Sequence, residues 1–183
     1  MKYCHTASKQ KGIKNMEIER KFLVNKLPDD LPSYQCLIIE QAYLCTNPVV
    51  RIRRQDEDYY LTYKGEGLMV REEYNLPLNK EAYSHLLSKA DGNIISKKRY
   101  LLPILKPAFT EGFVMPVHSD TSLDLKIELD IFEPPFAPLV LAEVEFPSEE
   151  MANAFIPPTW LGEDVTNDSA YHNSSMSLIA IPK

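Results

Sequence analysis

Three charged residues open the patterned part of the chain: Glu17, Glu19 and Lys21, within Met16-Glu17-Ile18-Glu19-Arg20-Lys21-Phe22-Leu23-Val24. Successive side chains of a strand point to opposite faces, so the two carboxylates and the ammonium share one face while Ile18, Phe22 and Val24 share the other. Alone, such a stretch reads most simply as a solvated sheet face. The pattern recurs, however. Arg51 and Arg53 flank Ile52, Lys64 ends 59–64, and Arg71, Glu73 and Asn75 alternate with Val70, Glu72 and Tyr74. Lys97 and Arg99 share a face in 94–102, Glu128 and Asp130 in 122–132, and Glu143 and Glu145 in 139–146. If these faces converge, the cations suffice to bind a polyphosphate and the carboxylates suffice to hold hard metal ions.

The elements that must position them follow from periodicity and turn residues. Strands are predicted over 16–24, 34–44, 49–54, 59–64, 68–76 (ended by Pro77), 94–102, 122–132 and 139–146, about eight in all. Asn79 caps a predicted helix to about Ala90, with Ala82, Tyr83, Leu86, Leu87 and Ala90 as its buried stripe, closed by Asp91-Gly92, and His85 is a surface residue. Ser148 caps a second helix through Phe155, broken by 157–162, and Asp168 a last one through about Ile179. Residues 103–121 read as a long proline-bearing connection. Periodicity does not distinguish inward from outward faces. A sandwich or half-open sheet, with the charges outside and Leu125, Ile127, Leu129 and Ile131 between layers, fits the same alternation.

A length of 183 residues suits one domain over 16–183, and residues 1–15, polar and aperiodic, read either as a disordered extension or as sequence preceding a true start at Met16. The net charge of −6 argues against general nucleic-acid or anionic-membrane partners, which call for a basic surface. No apolar run reaches the length of a spanning helix and no signal-peptide core is present, so a cytoplasmic location is expected. Cys4, Cys36 and Cys45 lack paired metal-ligand spacing; Cys36 and Cys45 are expected to pack as small apolar residues, and Cys4 to sit in the extension. A homodimer stays open, with no interface legible.

Taken together, the motifs resemble the CYTH, or triphosphate tunnel metalloenzyme, superfamily from about Met16 to Leu178, and its bacterial inorganic triphosphatases in particular. Glu17, Glu19 and Lys21 match the opening Glu-x-Glu-x-Lys, Arg51 and Arg53 the paired arginines, and Lys64 in Leu-Thr-Tyr-Lys the lysine that follows. Lys97-Lys98-Arg99-Tyr100, Glu128-Leu129-Asp130 and Glu143-Val144-Glu145 match later strands. The run 160–166 with Asp168, Tyr171 and Asn173 resembles a C-terminal segment that closes or buttresses one tunnel end.

The resemblance implies an α+β, mainly β fold: a closed eight-stranded antiparallel barrel with a polar interior and helices packed outside. It implies metal-dependent hydrolysis of inorganic triphosphate to diphosphate and phosphate, with Mg²⁺ or Mn²⁺ as cofactor. Implied metal ligands are Glu17, Glu19, Glu73, Glu128, Asp130, Glu143 and Glu145. Implied substrate-binding residues are Lys21, Arg51, Arg53, Lys64, Arg71, Lys97 and Arg99. A catalytic pair of Lys97 and Tyr43 beside the attacking water is implied as well. Lys97 serves as a base only if burial and Arg99 depress its pKa; otherwise it binds phosphate and Tyr43 merely packs. The same fold admits a class IV-type adenylate cyclase, a thiamine or nucleoside triphosphatase, and a noncatalytic polyphosphate-binding module. Two departures stand out. Asn75 replaces a second family glutamate, offering a metal a carbonyl oxygen but no charge, and 103–121 looks like an insertion that is either a lid or a tolerated loop.

Overall fold

Alternating charged and apolar residues produce a sheet whose two faces differ sharply, and the sheet closes on itself. The computed structural model describes residues 16–114 and 124–180. Among these the strands are β1 (Met16–Val24), β2 (Gln35–Thr46), β3 (Val49–Gln55), β4 (Asp58–Lys64), β5 (Val70–Leu78), β6 (Asp91–Pro103), β7 (Ala108–Phe109), β8 (Lys126–Phe132), β9 (Val140–Glu145), β10 (Phe155–Ile156) and β11 (Leu161–Asp164). The α-helices are α1 (Lys80–Leu87), α2 (Glu149–Ala154) and α3 (Asn173–Ser177). Neighbours run β1-β5-β4-β3-β2-β6-β8-β9, and β9 pairs back onto β1, giving a closed eight-stranded antiparallel barrel. Closure leaves no long free edge among these strands.

The apolar faces look outward and are covered. Phe22, Ile127, Leu129, Ala142 and Val144 pack with Met151 and Ala152 of α2, with Phe155 of β10 and with Leu161 of β11. On the far side Ala42 and Ile52 pack under Tyr83 of α1. Each large apolar side chain so enclosed contributes about 1.5–3 kcal/mol. Local chemistry sets the helix starts: Asn79 Oδ1 accepts from the Ala82 amide at 2.7 Å, and Ser148 Oγ from the Met151 amide at 3.2 Å. Arg20, on the outer face of β1, ties three elements together. It forks onto Asp164 of β11 at 2.9 and 2.6 Å and donates to the carbonyls of Ala152 and Phe155 at 2.9 Å each.

One end of the barrel is filled. Tyr43, Ile95, Phe132 and Leu141 meet Val165 and Met176 of the C-terminal segment in an enclosed apolar cluster. Gly92 holds that segment close. It has φ +70°, and a Cβ there would lie 2.3 Å from the Ser177 carbonyl oxygen. Gly92→Ala is therefore expected to destabilise the fold by more than about 1 kcal/mol, through a left-handed backbone that alanine resists and a backbone clash. Chemical denaturation would read it as a lower midpoint with an unchanged slope.

Several sequence expectations are corrected. β5 runs through Pro77 to Leu78, because Pro77 sits opposite Tyr60 where the other side of β5 has no partner among the described residues. Helix α1 ends at Leu87, and Asp91-Gly92 opens β6 rather than closing the helix. Residues Leu161–Asp164, read as part of a break, form β11 on β1. Asp168 caps a 3-10 turn, Ser169–Tyr171, and α3 follows as a single short helix. Cys36 and Cys45 are exposed and do not pack as core. The connection after β6 contains β7, paired with β10; its later part and residues 1–15, including Cys4, lie outside the described residues, as do 122 and 123.

Candidate active site

With apolar residues outside, the alternate charged residues singled out on β1, β3, β4, β5, β6, β8 and β9 point inward, and the register decides which meet. Lys21 faces Glu143 across β1–β9, Lys64 faces Glu73 across β4–β5, and Arg99 faces Asp130 across β6–β8. Each pair is joined: Lys21 Nζ to Glu143 Oε1 at 2.8 Å, Lys64 Nζ to Glu73 Oε2 at 2.6 Å, and Arg99 bidentate to Asp130 at 2.7 and 2.6 Å. Arg99 also reaches Glu143 at 2.6 Å and bonds Glu128. Glu17 takes Lys64 Nζ at 2.8 and 2.7 Å and Arg71 Nε at 2.9 Å.

These groups enclose a cavity of about 370 Å³, large enough for a small polyanion. Of the predicted site residues, β1 supplies Glu17, Glu19 and Lys21 to its wall; β2 and β3 supply Tyr43, Arg51 and Arg53; and β4 and β5 supply Lys64, Arg71 and Glu73. Arg99, Glu128, Glu143 and Glu145 complete the set. Lys97 and Asp130 are not part of that wall. Both are wholly enclosed and bonded to each other, with the Lys97 ammonium 5.1 Å above the Phe132 ring. Nor are Lys97 and Tyr43 joined: the hydroxyl of Tyr43 takes its bond from Gln41.

Two places in this wall are unbalanced in charge. The first is β3. Among the described residues Arg51 and Arg53 are buried without a carboxylate partner: Arg51 Nη2 donates to Thr62 Oγ1 at 2.9 Å, and Arg53 to Gln41 Oε1 at 3.1 and 2.7 Å and to the Tyr60 hydroxyl at 3.3 Å. The Nε of Arg51 has no partner among the described residues. Burial and the neighbouring Arg53 push the Arg51 guanidinium down from its ordinary value. A buried cation pair held by neutral acceptors is a site for an anion.

The second is the meeting of β1 and β9. Glu19 and Glu145 face each other across the register, a like-charge pair in which Arg71 Nη2 meets Glu19 at 3.2 Å while no cation meets Glu145 among the described residues. Burial and Glu143 push the Glu19 carboxyl up, and burial and Glu17 push Glu145 up. By contrast, Lys64 and Arg71 outweigh burial at Glu17 and hold its carboxyl well below the usual range. A second cavity, about 340 Å³, is lined by Met16, Glu17, Glu73, Asn75 and Glu145. Among the described residues no three acidic, His or Cys side chains form a ready-made metal cluster. The donor chemistry nonetheless fits a hard divalent cation: oxygen ligands only, with Glu145 left without a cation among the described residues.

Asn75 does not offer its carbonyl freely, since Oδ1 accepts from Thr62 at 2.6 Å while Nδ2 donates to Glu73 at 2.8 Å. It orients Glu73. Charge alternation alone passes over Gln41, Tyr60 and Thr62, which are uncharged, although Tyr60 and Thr62 share a face with Lys64 and Gln41 shares one with Tyr43, named through the family resemblance. His172, Asn173 and Ser174 also line the cavity, from the junction of the 3-10 turn and α3; of these the sequence motifs single out only Asn173, as part of a buttressing segment.

The pattern that defines the CYTH domain matches residues 15–113. The chain is 36% identical to an inorganic triphosphatase of Nitrosomonas europaea over 88% of this chain and 97% of that one. To an inorganic triphosphatase of Acetivibrio thermocellus it is 30% identical, over 87% and 92%. A crystal structure of an inorganic triphosphatase superposes with a TM-score of 0.60 at 34% identity, covering 91% of this chain and 97% of that one. A barrel with inward charge, the Glu17, Glu19, Lys21 motif at its seam and these likenesses agree: the chain belongs to the CYTH family.

Proposed function

We propose that the tunnel hydrolyses inorganic triphosphate to diphosphate and phosphate in a metal-dependent reaction. The observation that carries this reading is the Arg51 and Arg53 pair, held by neutral acceptors and lining one cavity with Glu19 and Glu145, whose carboxyls are pushed up. That both relatives above are inorganic triphosphatases supports the choice of substrate. Arg51 and Arg53 bind the phosphate chain, and Lys21, Lys64, Arg71 and Arg99 hold the carboxylates in position and share in neutralising phosphate oxygens. Glu17, Glu19, Glu73 and Glu145 would hold Mg²⁺ or Mn²⁺, which when bound supplies charge neutralisation for the phosphates and Lewis-acid polarisation. Asp130 and Glu143, tied to Lys97, Arg99 and Lys21, position those cations.

A water oxygen forms a bond to the terminal phosphorus, the bond from that phosphorus to the bridging oxygen breaks, and diphosphate leaves with the electron pair. Fixed guanidinium groups stabilise the charge that spreads over the oxygens in this transition state without reorganising. Burial and Arg99 bring the Lys97 ammonium down to about 8 against the pull of Asp130, so the amine is available near neutral pH to take the water's proton. That step requires Nζ to leave Asp130, which keeps both of its bonds to Arg99.

The test is phosphate release from inorganic triphosphate with Mg²⁺, with Mn²⁺ and with chelator, beside ATP with phosphate and cyclic AMP both quantified. Release from triphosphate with either metal, abolished by chelator and lost in Glu19→Ala, is the expected result. Cyclic AMP from ATP without triphosphate cleavage would make the protein a cyclase. Tight triphosphate binding without turnover in any metal would make it a binding module.

A further inference from the structure

Gln41 carries no charge, yet it joins the two groups of the cation wall on which binding depends. It lies opposite Arg53 in the β2–β3 register and is fully enclosed. Its Oε1 accepts from Arg53 Nε at 3.1 Å and Nη2 at 2.7 Å, and its Nε2 donates to the Tyr43 hydroxyl at 3.1 Å. A guanidinium only donates, so the amide oxygen must face Arg53 and the amide nitrogen must face Tyr43. The Tyr43 oxygen is thereby an acceptor on that side, and its own proton is directed elsewhere. Tyr43 lines the cavity. Burial pushes its hydroxyl up, against Arg51 and Arg53, so it keeps that proton at neutral pH.

The choice of an amide here matters for charge. The inward cations besides Arg51 and Arg53, namely Lys21, Lys64, Arg71, Lys97 and Arg99, all meet carboxylates. A glutamate at position 41 would have the same size and reach, but it would cancel the charge of Arg53. It would also accept from Tyr43, turning the hydroxyl proton away from the cavity.

We propose that Gln41 is a positioning residue that fixes Arg53 without neutralising it and aims the Tyr43 hydroxyl as a donor into the cavity, so that both act on phosphate oxygens. The proposal rests on the reading of the tunnel as a triphosphate site. It assigns Gln41 a role in specificity for an anion: the cavity binds one there because the acceptor behind Arg53 is neutral.

The full-length wild type, Gln41→Glu and Gln41→Met are compared by calorimetric binding of inorganic triphosphate in chelator, by Mg²⁺-supported turnover and by thermal melting. Gln41→Glu is expected to melt no lower than wild type, since it gains an ion pair, yet to bind triphosphate about 10–100-fold more weakly, the range for a charged hydrogen-bonded contact. Gln41→Met, neutral but without an acceptor, should keep KM within about threefold and lose about tenfold in kcat, the lower end of what a misplaced group costs. A Gln41→Glu protein that binds like wild type, or no more weakly than Gln41→Met, overturns the proposal. Should Gln41→Glu not fold, Gln41→Met with wild-type kcat overturns it instead. If wild type neither binds nor cleaves triphosphate, the reading of the tunnel fails and this inference with it; if wild type does both and only the variants disagree, the inference alone fails.

Discussion

Arg51→Met is expected to cut kcat/KM for inorganic triphosphate by about 10²–10³-fold, the cost of removing one preorganised donor to a charged transition state, without lowering the melting temperature. Both halves follow from the same geometry. Arg51 is buried, repelled by Arg53, bonded only to the neutral Thr62, and its Nε is unpartnered among the described residues. In the empty tunnel that charge costs the fold more than it returns, so methionine, with a similar stem, relieves the fold while removing the ligand. Lys21→Met should behave in the opposite way. It would strip Glu143 of a partner at 2.8 Å, and removing one member of such a buried pair costs about 3–5 kcal/mol. Thermal melting and initial rates on the two variants separate the classes. A destabilised Arg51→Met with near-normal kcat/KM would show that Arg51 is structural and that the anion binds elsewhere.

This distinction between free and paired cations marks the limit of what could be read before the fold was known. Alternation alone placed Glu17, Glu19 and Lys21 on one face and Ile18 and Phe22 on the other, and it did the same for the other charged strands, because a period of two is fixed by strand geometry. That the charges face inward came from the likeness to a tunnel family, since a sandwich gives the same alternation. Register is a tertiary property. Only once Glu19 is seen opposite Glu145, and Gln41 opposite Arg53, does it emerge which charges are surplus and which neutral residues hold them. Pro77 misled because its missing N–H removes a bond only on a side with a partner, and among the described residues that part of β5 has none on the β1 side. Cys36 and Cys45 misled because sulfur's usual burial is a preference without positional information. The plug formed by Val165 and Met176 ends in a helix of a turn and a half, too short for its period to single out His172 or Ser174.

Lys97→Arg is expected to lower kcat by about 10²–10⁴-fold, the usual share of a positioned acid or base, while KM stays within a few-fold. Arginine keeps the positive charge and can still pair with Asp130, but it does not lose its proton at accessible pH. The substitution therefore spares the structural role of Lys97 and removes only its capacity as a base. For wild type, kcat should rise with pH and level off above about 8, the value to which burial and Arg99 bring Lys97; in Lys97→Arg that limb should vanish. Stability should carry the same signature. The folded value of about 8 lies below the ordinary 10.5, so the folded protein binds fewer protons between them. The contribution of Lys97 to stability is then fully present above 10.5 and lost as pH falls through about 8, a difference of roughly 3 kcal/mol that the fold forgoes at neutral pH to keep an amine poised. Denaturation of Lys97→Arg across pH 7–10 should lack that slope. If instead Lys97→Arg turns over within fivefold of wild type and keeps the acid limb, Lys97 serves only to hold Asp130 for Arg99, and the water surrenders its proton to another group.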